Sequence, residues 1–404
     1  MPHDRLDEVL ATEIAELEDA GTAKGEEDVI VAVRPPADGY GRRYVLQGGD
    51  SGYLRMNSNS YLGLSHHPAV IEAEERASRE FGAGPGAVRF ISGTYEAHTR
   101  LEASLSRFHG REAGIIYSSA YAAVLSTMTS LIDPETVVLS DELNHNCIIN
   151  GVRMSKPAAR EVYPHLDYDA LDAALSKAAG EARRAIVVTD GVFSMRGDFA
   201  DLSRIAEVAR RHDGDFEENV VVIVDDSHGV GAFGDTGRGT EQVTGGEADV
   251  LIGTLGKAFG VNGGYVVGTG TLVRYLQERG PMYIYSNPIT VGEAAAGEVA
   301  VGVLDSSEGQ ALLEHLRTMT TKFESGLVDL GLETIPGPHP VVPLMVRDTA
   351  RTSELVRHLY DHGVLATGLN YPVVPKGDEE IRFQVNADHT PADIEYALEV
   401  LSKA

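Results

Sequence analysis

The sequence predicts an α/β protein with a large domain rich in parallel sheet and a smaller C-terminal α+β domain. Short apolar runs rich in β-branched residues alternate with helical patterns through the first 300 residues. Because these runs are almost continuously apolar, each is expected to be covered on both faces, as in a parallel sheet. Beyond residue 300, helices flank shorter strands. We therefore predict a segment 1–60 that packs on the small domain or on a partner subunit, a large domain 61–300 and a small domain 301–404.

The predicted strands of the large domain end in polar residues. These strands are residues 114–117, 136–139, 185–189, 220–224, 250–252 and 264–267, and helical patterns lie at 169–179 and 202–211. In the small domain, strands are expected around 341–346 and 381–385, and a helix near 392–401 closes the chain. The polar strand ends should meet at the carboxyl edge of the sheet, where parallel sheets bind ligands.

Composition excludes several classes of function. The chain has 404 residues, with 61 acidic and 34 basic side chains, for a formal net charge of −27. This excess of negative charge argues against nucleic acid or an anionic membrane as a partner. The acidic N-terminus lacks the features of a signal peptide, and no apolar run reaches the ~18 residues of a membrane helix, so we expect a cytoplasmic protein. The single cysteine, Cys147, excludes an internal disulfide and a multi-cysteine metal cluster.

The basic residues are mostly arginine, with only seven lysines among the 34. High acidity with few lysines supports the hypothesis of a halophilic source with a salt-rich cytoplasm. An ordinary acidic bacterial enzyme is the alternative.

Lys257 follows an apolar run and lies in a glycine-rich turn, residues 253–258. A lysine at a strand end beside small residues can lose solvation, which lowers its pKa and makes the amine nucleophilic. A solvated loop lysine explains this segment equally well. A nucleotide-binding phosphate loop is a poorer explanation, because Ala258 follows the lysine and the first glycine is misplaced.

Asp225, Asp226 and His228 follow the apolar run 220–224. Acidic residues and a histidine at a strand end can bind a divalent metal, but no further His or Cys cluster lies nearby at ligand spacing. A carboxylate in this position can instead pair with the protonated nitrogen of a pyridinium ring in a cofactor. The position of Asp225, at the end of the strand before Lys257, favours this second interpretation.

Three further segments carry candidate binding groups. His145 is either a loop histidine or an aromatic plate that stacks on a cofactor ring. The turn 117–121 leads into a helix expected to begin near Ala122, and the free N–H groups of a helix start suit a phosphate. Arg382, on a C-terminal strand, is either a surface arginine or a ligand that holds a carboxylate by two hydrogen bonds.

Together these segments resemble the α-oxoamine synthases, fold-type I pyridoxal-phosphate enzymes that join an amino acid to an acyl-CoA. The resemblance runs from about Asn57 to the C-terminus. Its motifs are residues 59–64, 92–94, 144–145, 189–195, 225–231, 253–257 and 371–375. The resemblance implies an aspartate aminotransferase-like fold, pyridoxal 5'-phosphate as cofactor, and a homodimer with a shared active site.

The resemblance also assigns roles to individual residues. Lys257 is implied to form the Schiff base with the cofactor and to shuttle the substrate α-proton. Asp225 is implied to pair with the pyridinium nitrogen, and His145 to stack on the ring. The other implied contacts are His228 and Ser194 at the phenolic oxygen; Ala120, Tyr121, Thr254 and a neighbouring subunit's Ser286 and Asn287 at the phosphate; and Asn59 and Arg382 at the substrate carboxylate. The implied catalytic residues are Lys257, His145, Asp225 and His228.

Within the family, residues 88–94, 141–153 and 371–377 look most like the glycine C-acetyltransferases, also called 2-amino-3-ketobutyrate CoA ligases. This likeness implies glycine and acetyl-CoA as substrates, with the reverse cleavage serving threonine breakdown. Phe90 replaces a polar residue of the 5-aminolevulinate synthases, and its apolar ring suits a short acyl group. Ala122, Ser60 and Asn150 depart from the usual pattern, so the acyl donor stays open. The alternative is an enzyme like 8-amino-7-oxononanoate synthase, with another acyl donor.

Overall fold

The computed structural model describes residues 3–20, 22–23, 25–371 and 374–404. It divides into a large unit, Asn59–Thr320 with Gly337–Pro340, and a small unit made of the rest. The predicted domain limits were 60 and 300, whereas the second change of unit falls inside a helix that begins at Ser307. Pro372 and Val373, which belong to the predicted motif 371–375, lie outside the described residues.

The strands are numbered in chain order. They are β1 (Ile30–Arg34), β2 (Arg43–Leu46), β3 (Gly52–Arg55), β4 (Ala113–Tyr117), β5 (Thr136–Asp141), β6 (Ala159–Tyr163), β7 (Arg184–Asp190), β8 (Val220–Asp225), β9 (Val250–Thr254), β10 (Gly264–Gly268), β11 (Val341–Met345), β12 (Val364–Leu365), β13 (Thr367–Leu369) and β14 (Glu380–Gln384).

The helices are numbered in the same way. They are α1 (Asp4–Asp19), α2 (Pro68–Phe81), α3 (Glu96–Phe108), α4 (Ala120–Leu131), α5 (Asn146–Ser155), α6 (Tyr168–Ala178), α7 (Leu202–His212), α8 (Thr240–Thr244), α9 (Gly270–Arg279), α10 (Pro281–Ile284), α11 (Val291–Leu304), α12 (Ser307–Asp329), α13 (Thr349–Asp361) and α14 (Pro391–Ser402). None of these helices has the length and apolarity needed to span a bilayer, within the residues described.

The described residues of the large unit form a seven-stranded sheet in the order β4-β10-β9-β8-β7-β5-β6. Strands β5 to β9 are parallel, as predicted, but β10 is antiparallel to both β4 and β9. The reason is the short connection of residues 255–263 between β9 and β10. A parallel crossover needs about a dozen residues or more, so this chain can only turn back on itself.

All six apolar runs predicted as strands in this sheet are strands. The edge strand β6 was not predicted, because most of its residues are exposed and charged Arg160 and Glu161 interrupt its apolar sequence. In contrast, β7 and β8 are buried along almost their whole length, and Ile186, Val188 and Ile223 have no exposed surface. Continuous burial explains why hydrophobicity reveals the central strands and misses β6. The other edge strand, β4, is buried over its last three residues and was predicted.

Helix α4 starts at Ala120, two residues before the predicted start. Ser119 is its N-cap, and the Ser119 Oγ accepts the backbone N–H of Ala122 at 3.1 Å. A serine in this position satisfies one of the amide groups that a helix start leaves unpaired, which fixes the start of the helix. The first turn of α4 is thereby placed directly after β4.

A π-helical turn, Arg89–Gly93, projects two apolar side chains from the large unit. Arg89 is buried and forms paired hydrogen bonds of 2.9 and 3.0 Å to the carboxylate of Glu102, which also accepts the backbone N–H of Ile116 at 3.1 Å. A two-point arginine–carboxylate pair has a fixed geometry. It anchors a turn on which Phe90 and Ile91 are each 67% exposed.

The small unit contains two sheets among its described residues, β1-β2-β3-β12 and β11-β14-β13. Arg382 lies on β14, opposite Pro343 of β11 and Thr367 of β13. Every residue of β1 is exposed, and α1 buries no residue. The apolar side chains of α1, including Leu10 and Ile14, are therefore exposed in the single chain.

Candidate active site

A cavity of about 230 Å³ lies in the large unit where β8 and β9 end. It is lined by eight residues that were predicted from the sequence: Ala120, Tyr121, His145, Ser194, Asp225, His228, Thr254 and Lys257. A larger cleft of about 920 Å³ includes Arg184 and Val220, the first residues of β7 and β8, and none of the predicted residues. The smaller cavity, at the carboxyl ends of the strands, is therefore the candidate site.

Asp225, the last residue of β8, is 5% exposed, and its orientation is fixed by short hydrogen bonds. Its Oδ1 atom accepts the backbone N–H of Ser227 at 3.1 Å and the Ser227 hydroxyl at 2.5 Å. The sulfur of Cys147 lies 3.5 Å from Oδ2. Because Ser227 occupies Oδ1, Oδ2 is the oxygen that can accept a further donor from the cavity.

His145 is fixed at the N-cap of α5. Its backbone N–H donates to Oδ2 of Asp190 at 2.7 Å, and its Nδ1 accepts the backbone N–H of Cys147 at 3.3 Å. Burial lowers the pKa of His145; the charge of Asp225 opposes this effect and that of Lys257 adds to it. The ring is therefore neutral near pH 7, and because Nδ1 accepts a hydrogen bond, its proton is on Nε2.

The loop that carries His145 is attached to β7 by two more hydrogen bonds. The side chain of Asn144 accepts the backbone N–H of Asp190 at 2.8 Å and donates to the carbonyl of Val188 at 2.8 Å. Burial, and then the nearby charge of Asp225, raise the pKa of Asp190. Asp190 was noticed in the sequence as a strand end, without a role. The structure shows that it holds the histidine loop.

His228 is held by residues from two distant segments of the large unit. Its Nδ1 lies 2.7 Å from the hydroxyl of Tyr61, and its backbone carbonyl accepts a hydrogen bond from Nε2 of His339 at 2.9 Å. Burial lowers the pKa of His339 to about 4, so its ring is neutral and Nε2–H is the donor. Tyr61 belongs to a sequence motif but was not assigned a role there.

Lys257 lies in the short loop between β9 and β10. Thr254 stabilises the start of this loop: its hydroxyl accepts the backbone N–H of Gly256 at 3.1 Å and donates to the carbonyl of Gly263 at 3.2 Å. Gly260 has a φ of +72°, and a Cβ there would lie 2.2 Å from the backbone nitrogen of Ser65. Glycine is therefore required at residue 260 for the loop to close.

The first turn of α4 forms another wall of the cavity, with Ser119, Ala120 and Tyr121. Strand β10 passes so close that a Cβ on Gly264 would lie 2.2 Å from the nitrogen of Ala120. The Tyr121 hydroxyl donates to Oδ1 of Asn146 at 3.0 Å and accepts from Asn150 at 2.8 Å. A helix start with a serine N-cap offers amide donors and positive potential to an anion.

Comparison with known proteins identifies the family. Residues 51–401 match the family described as aminotransferase class I and II. The chain is 38% identical over 352 residues to 8-amino-7-oxononanoate synthase of Thermosipho melanesiensis, covering 87% of this chain and 88% of the relative. It is also 38% identical over 394 residues to the human mitochondrial 2-amino-3-ketobutyrate coenzyme A ligase, covering 97% and 90%. The chain belongs to the α-oxoamine synthases of this family.

Solved structures support the same assignment. The serine palmitoyltransferase of Sphingomonas wittichii superposes on this α-oxoamine synthase with a TM-score of 0.89 at 25% identity, covering 100% of this chain and 98% of the other. The enzyme from S. paucimobilis, determined with a bound adduct of pyridoxal phosphate and myriocin, gives a TM-score of 0.88 at 26% identity and the same coverage. The predicted fold class and the predicted cofactor, pyridoxal 5'-phosphate, are confirmed.

The cavity has the chemical groups that this cofactor needs. Asp225 offers a fixed carboxylate oxygen to a protonated ring nitrogen, and His145 offers a neutral aromatic ring. The start of α4 offers amide donors to a phosphate, and Thr254 lines the same cavity. Lys257 supplies a primary amine on the same cavity wall as Thr254. The residues of this α-oxoamine synthase therefore fit pyridoxal phosphate.

Four predicted residues do not line this cavity. Asn59 accepts a hydrogen bond from the Tyr61 hydroxyl at 3.3 Å, and Arg382 belongs to the small unit. Ser286 and Asn287, predicted to act on a neighbouring subunit, follow the short helix α10. The roles of these four residues stay predictions.

Five lining residues were missed in the sequence: Ser119, Cys147, Asp190, Val192 and Ser227. Local signals were available for four of them. Ser119 immediately precedes a helix and is a preferred N-cap residue, and Ser227 follows Asp225 at the spacing of an Asx turn. Asp190 directly follows the predicted strand 185–189, and Val192 lies in the motif 189–195. For Cys147 no local pattern indicated a position in the site.

Asp226 does not contribute to the cavity. Its carboxylate accepts the backbone N–H of Thr240 at 2.7 Å and the Thr240 hydroxyl at 2.6 Å. Glycines surround it: a Cβ on Gly191, Gly229 or Gly239 would lie within 2.1 Å of its oxygens. Asp226 is thus separated from Asp225 and His228, and no group of three or more His, Cys, Asp or Glu among the described residues could hold a metal ion.

A histidine bridge beside the site joins two loops of the large unit. Nδ1 of His165 lies 2.9 Å from Asp141, and Nε2 lies 3.2 Å from Asp198. Burial alone would lower the pKa of His165, but the hydrogen bonds to the two carboxylates outweigh it and raise the pKa to about 9. His165 is therefore a cation at neutral pH. It links the segment that leads to His145 with the segment that follows Ser194.

We expect His165→Gln to destabilise the protein in a pH-dependent way. The folded-state pKa lies above the unfolded value of about 6.5, so the stabilisation is fully present below pH 6.5 and is lost as the pH rises through 9. The expected loss is roughly 2–3 kcal/mol at pH 6. Urea unfolding from pH 6 to 10 measures it, with the exposed His362→Gln as control. A difference from wild type that grows with pH would contradict the expectation.

Proposed function

We propose that this α-oxoamine synthase condenses glycine with acetyl-CoA to give 2-amino-3-oxobutyrate and CoA. The supporting observation is the charge of the cavity. Among the described residues that line it, Lys257 is the only lysine or arginine, and His145 is neutral. A succinyl or pimeloyl group carries a distal carboxylate that would need a cation. An acetyl group needs none.

The exposed π-helical turn supports a short acyl group as well. Phe90 has an apolar ring where the 5-aminolevulinate synthases have a polar residue, and it is held outward by the Arg89–Glu102 pair. An apolar side chain gives no hydrogen bond to a distal carboxylate. It packs well against a methyl group.

The proposed reaction assigns a task to each residue. When bound, pyridoxal phosphate supplies an electron-withdrawing ring that stabilises negative charge on the α-carbon of the amino acid. The amine of Lys257 takes the α-proton of glycine and later returns a proton. Oδ2 of Asp225 would accept the ring N–H, and the neutral ring of His145 would pack on the cofactor without adding positive charge. The glycine α-carbon then bonds to the acetyl carbonyl carbon, and the carbon–sulfur bond of the thioester breaks to release CoA.

The remaining assignments of the proposal concern binding. Ser194 and His228 are proposed to contact the phenolic oxygen of the cofactor, and both line the cavity. Ala120, Tyr121 and Thr254 are proposed to hold its phosphate. Asn59 and Arg382 remain the predicted ligands of the substrate carboxylate.

We further propose that two copies of the chain share the active sites. Tyr285 is 82% exposed immediately before Ser286, and neither Ser286 nor Asn287 lines the cavity of its own chain. An exposed aromatic side chain beside predicted phosphate ligands fits a homodimer in which these residues serve the second copy. The role in threonine breakdown, the cytoplasmic location and the halophilic source stay hypotheses that rest on the sequence.

An enzyme like 8-amino-7-oxononanoate synthase is the second candidate. A relative of that name matches this chain with the same 38% identity as the human 2-amino-3-ketobutyrate ligase. The departures at Ala122 and Asn150 lie next to Tyr121, which lines the cavity: Ala122 follows it in the chain, and Asn150 donates a hydrogen bond to its hydroxyl. These changes are compatible with a different acyl donor.

CoA release with a panel of substrates separates the two candidates. The purified holoenzyme is assayed with glycine, alanine or serine against acetyl-, propionyl-, succinyl- and pimeloyl-CoA. We expect kcat/KM to be highest for glycine with acetyl-CoA, by about tenfold or more over pimeloyl-CoA. The reason is that the distal carboxylate of a pimeloyl group would be buried without a cation, and this burial raises the free energy of the bound substrate. A preference for alanine with pimeloyl-CoA would support the second candidate and exclude the first.

A further inference from the structure

The buried Cys147 lies between two residues that contact the cofactor in the proposed function. Its sulfur is 2.9 Å from Nδ1 of His145 and 3.5 Å from Oδ2 of Asp225. It is 2% exposed, and it lines the cavity in the first turn of α5. No residue pattern in the sequence indicated this position.

The protonation state of Cys147 follows from its surroundings. Burial, and then the negative charges of Asp225 and Asp190, raise the pKa of the thiol above its usual range. The thiol therefore keeps its proton near neutral pH and acts as a hydrogen-bond donor. Its possible acceptors in the structure are the two atoms named above.

Other hydrogen bonds fix the orientation of both acceptors, the imidazole of His145 and the carboxylate of Asp225. Nδ1 of His145 already accepts the backbone N–H of Cys147 at 3.3 Å, and Asp225 is held through Oδ1 by Ser227. A donor to Nδ1 favours the neutral imidazole, and a donor to Oδ2 favours the carboxylate. In either position, the thiol proton opposes protonation of its acceptor.

We propose that Cys147 is a positioning residue that keeps the ring of His145 neutral in the cavity that would hold the cofactor. This inference rests on the proposed function, because it assumes that pyridoxal phosphate occupies this cavity. A protonated imidazole stacked on a pyridinium ring would repel it. The titratable groups around the thiol are Asp190, Asp225 and His145, and the charge of Lys257 acts on His145.

The test measures the pKa of His145 in the full-length holoenzyme. Histidine ring signals of the isotope-labelled protein are followed by NMR against pH, and the signal of His145 is assigned by its loss in His145→Asn. We expect Cys147→Ala to raise the pKa of His145 by about half a unit to one unit, because a donor to the neutral ring is lost. Cys147→Ser keeps a donor, and we expect it to stay close to wild type.

Two further variants make the result decisive. Ile148→Val shortens the neighbouring buried side chain of α5, which has no exposed surface, without touching a polar group. We expect no change in the pKa of His145 for this control. Cys147→Val replaces Cys147→Ala if the alanine variant does not fold. Equal shifts in Ser and Ala variants, a shift in Ile148→Val, or no shift in Cys147→Ala would each overturn the inference.

A separate measurement distinguishes failure of the proposed function from failure of the role proposed for Cys147. The visible absorbance of bound pyridoxal phosphate is recorded for wild type and for Lys257→Ala in the same preparations. If wild type takes up no cofactor, or if its spectrum is unchanged in Lys257→Ala, the assignment of the cavity is wrong. If the spectrum changes and only the pKa of His145 is insensitive to Cys147→Ala, the cofactor assignment stands and the role of Cys147 is refuted.

Discussion

Replacing Lys257 with alanine is expected to lower kcat/KM for CoA release by about 10⁴-fold or more, the size of a lost general base together with a lost covalent partner. The cavity keeps Asp225, His145 and the start of α4 in this variant, so the protein should still bind pyridoxal phosphate without a covalent bond. We therefore expect Lys257→Ala to lower kcat while the free energy of unfolding stays close to that of wild type.

The control for this prediction is Lys257→Arg. Arginine preserves the positive charge in the loop of residues 255–263, but it stays protonated and is not nucleophilic. We expect it to be as inactive as alanine, which separates the amine chemistry from the charge. Borohydride reduction followed by mass spectrometry should attach the cofactor to the Lys257 peptide in wild type only. Activity of either variant within about tenfold of wild type would disprove the assignment of Lys257.

Asp225→Asn is expected to lower kcat by about 10²- to 10³-fold, the effect of removing one fixed electrostatic contact in a site that excludes water. The amide is close in size to the carboxylate, so the hydrogen bonds from Ser227 can be retained. What is lost is the negative charge that Oδ2 presents to the protonated ring nitrogen. Because this charge is lost, the affinity of the apoprotein for pyridoxal phosphate should also fall. Equilibrium titration measures that affinity.

Asp226→Asn is the matched control, since it makes the same change at the next residue. Asp226 is equally buried, but its carboxylate binds Thr240 and does not line the cavity. Burial raises the pKa of Asp226 to about 7, so part of the population is already neutral at pH 7. We expect the control to affect thermal stability and to leave cofactor affinity near wild type. Equal losses of cofactor affinity in both variants would show that Asp225 acts through packing and not through charge.

Much of the fold could be predicted from local sequence patterns. The central strands β5, β7, β8 and β9 are continuous apolar runs because they are buried on both faces, and burial of this kind leaves a signal in every residue. The edge strand β6 has no such signal, because half of its environment is solvent. The direction of β10 depends on the length of one loop. That direction became evident only when its pairing with β4 and β9 was seen.

The candidate site also contains some residues that local sequence indicated and others that it did not. Lys257, Asp225 and His145 stand at the ends of strands or in motifs, so their positions along the chain indicated a common edge of the sheet. Tyr61 and His339 act on His228 across long separations in sequence, and Cys147 of α5 contacts Asp225 at the end of β8. Contacts of this kind connect elements that are adjacent only in the folded chain. Hydrophobic periodicity and short motifs therefore contain no information about them.

The sequence by itself determined the fold class, the family, the cofactor and most of the residues that line the cavity. These properties depend on residue types at fixed local spacings, which the chain carries whether folded or not. Only the tertiary structure decided which residues contact those groups and fix them: Ser227 and Cys147 at Asp225, Asp190 at the loop of His145, and Asp141 and Asp198 at His165. The pKa values of His145 and His165 depend on burial and on distances of a few ångströms, and these are properties of the packed structure alone.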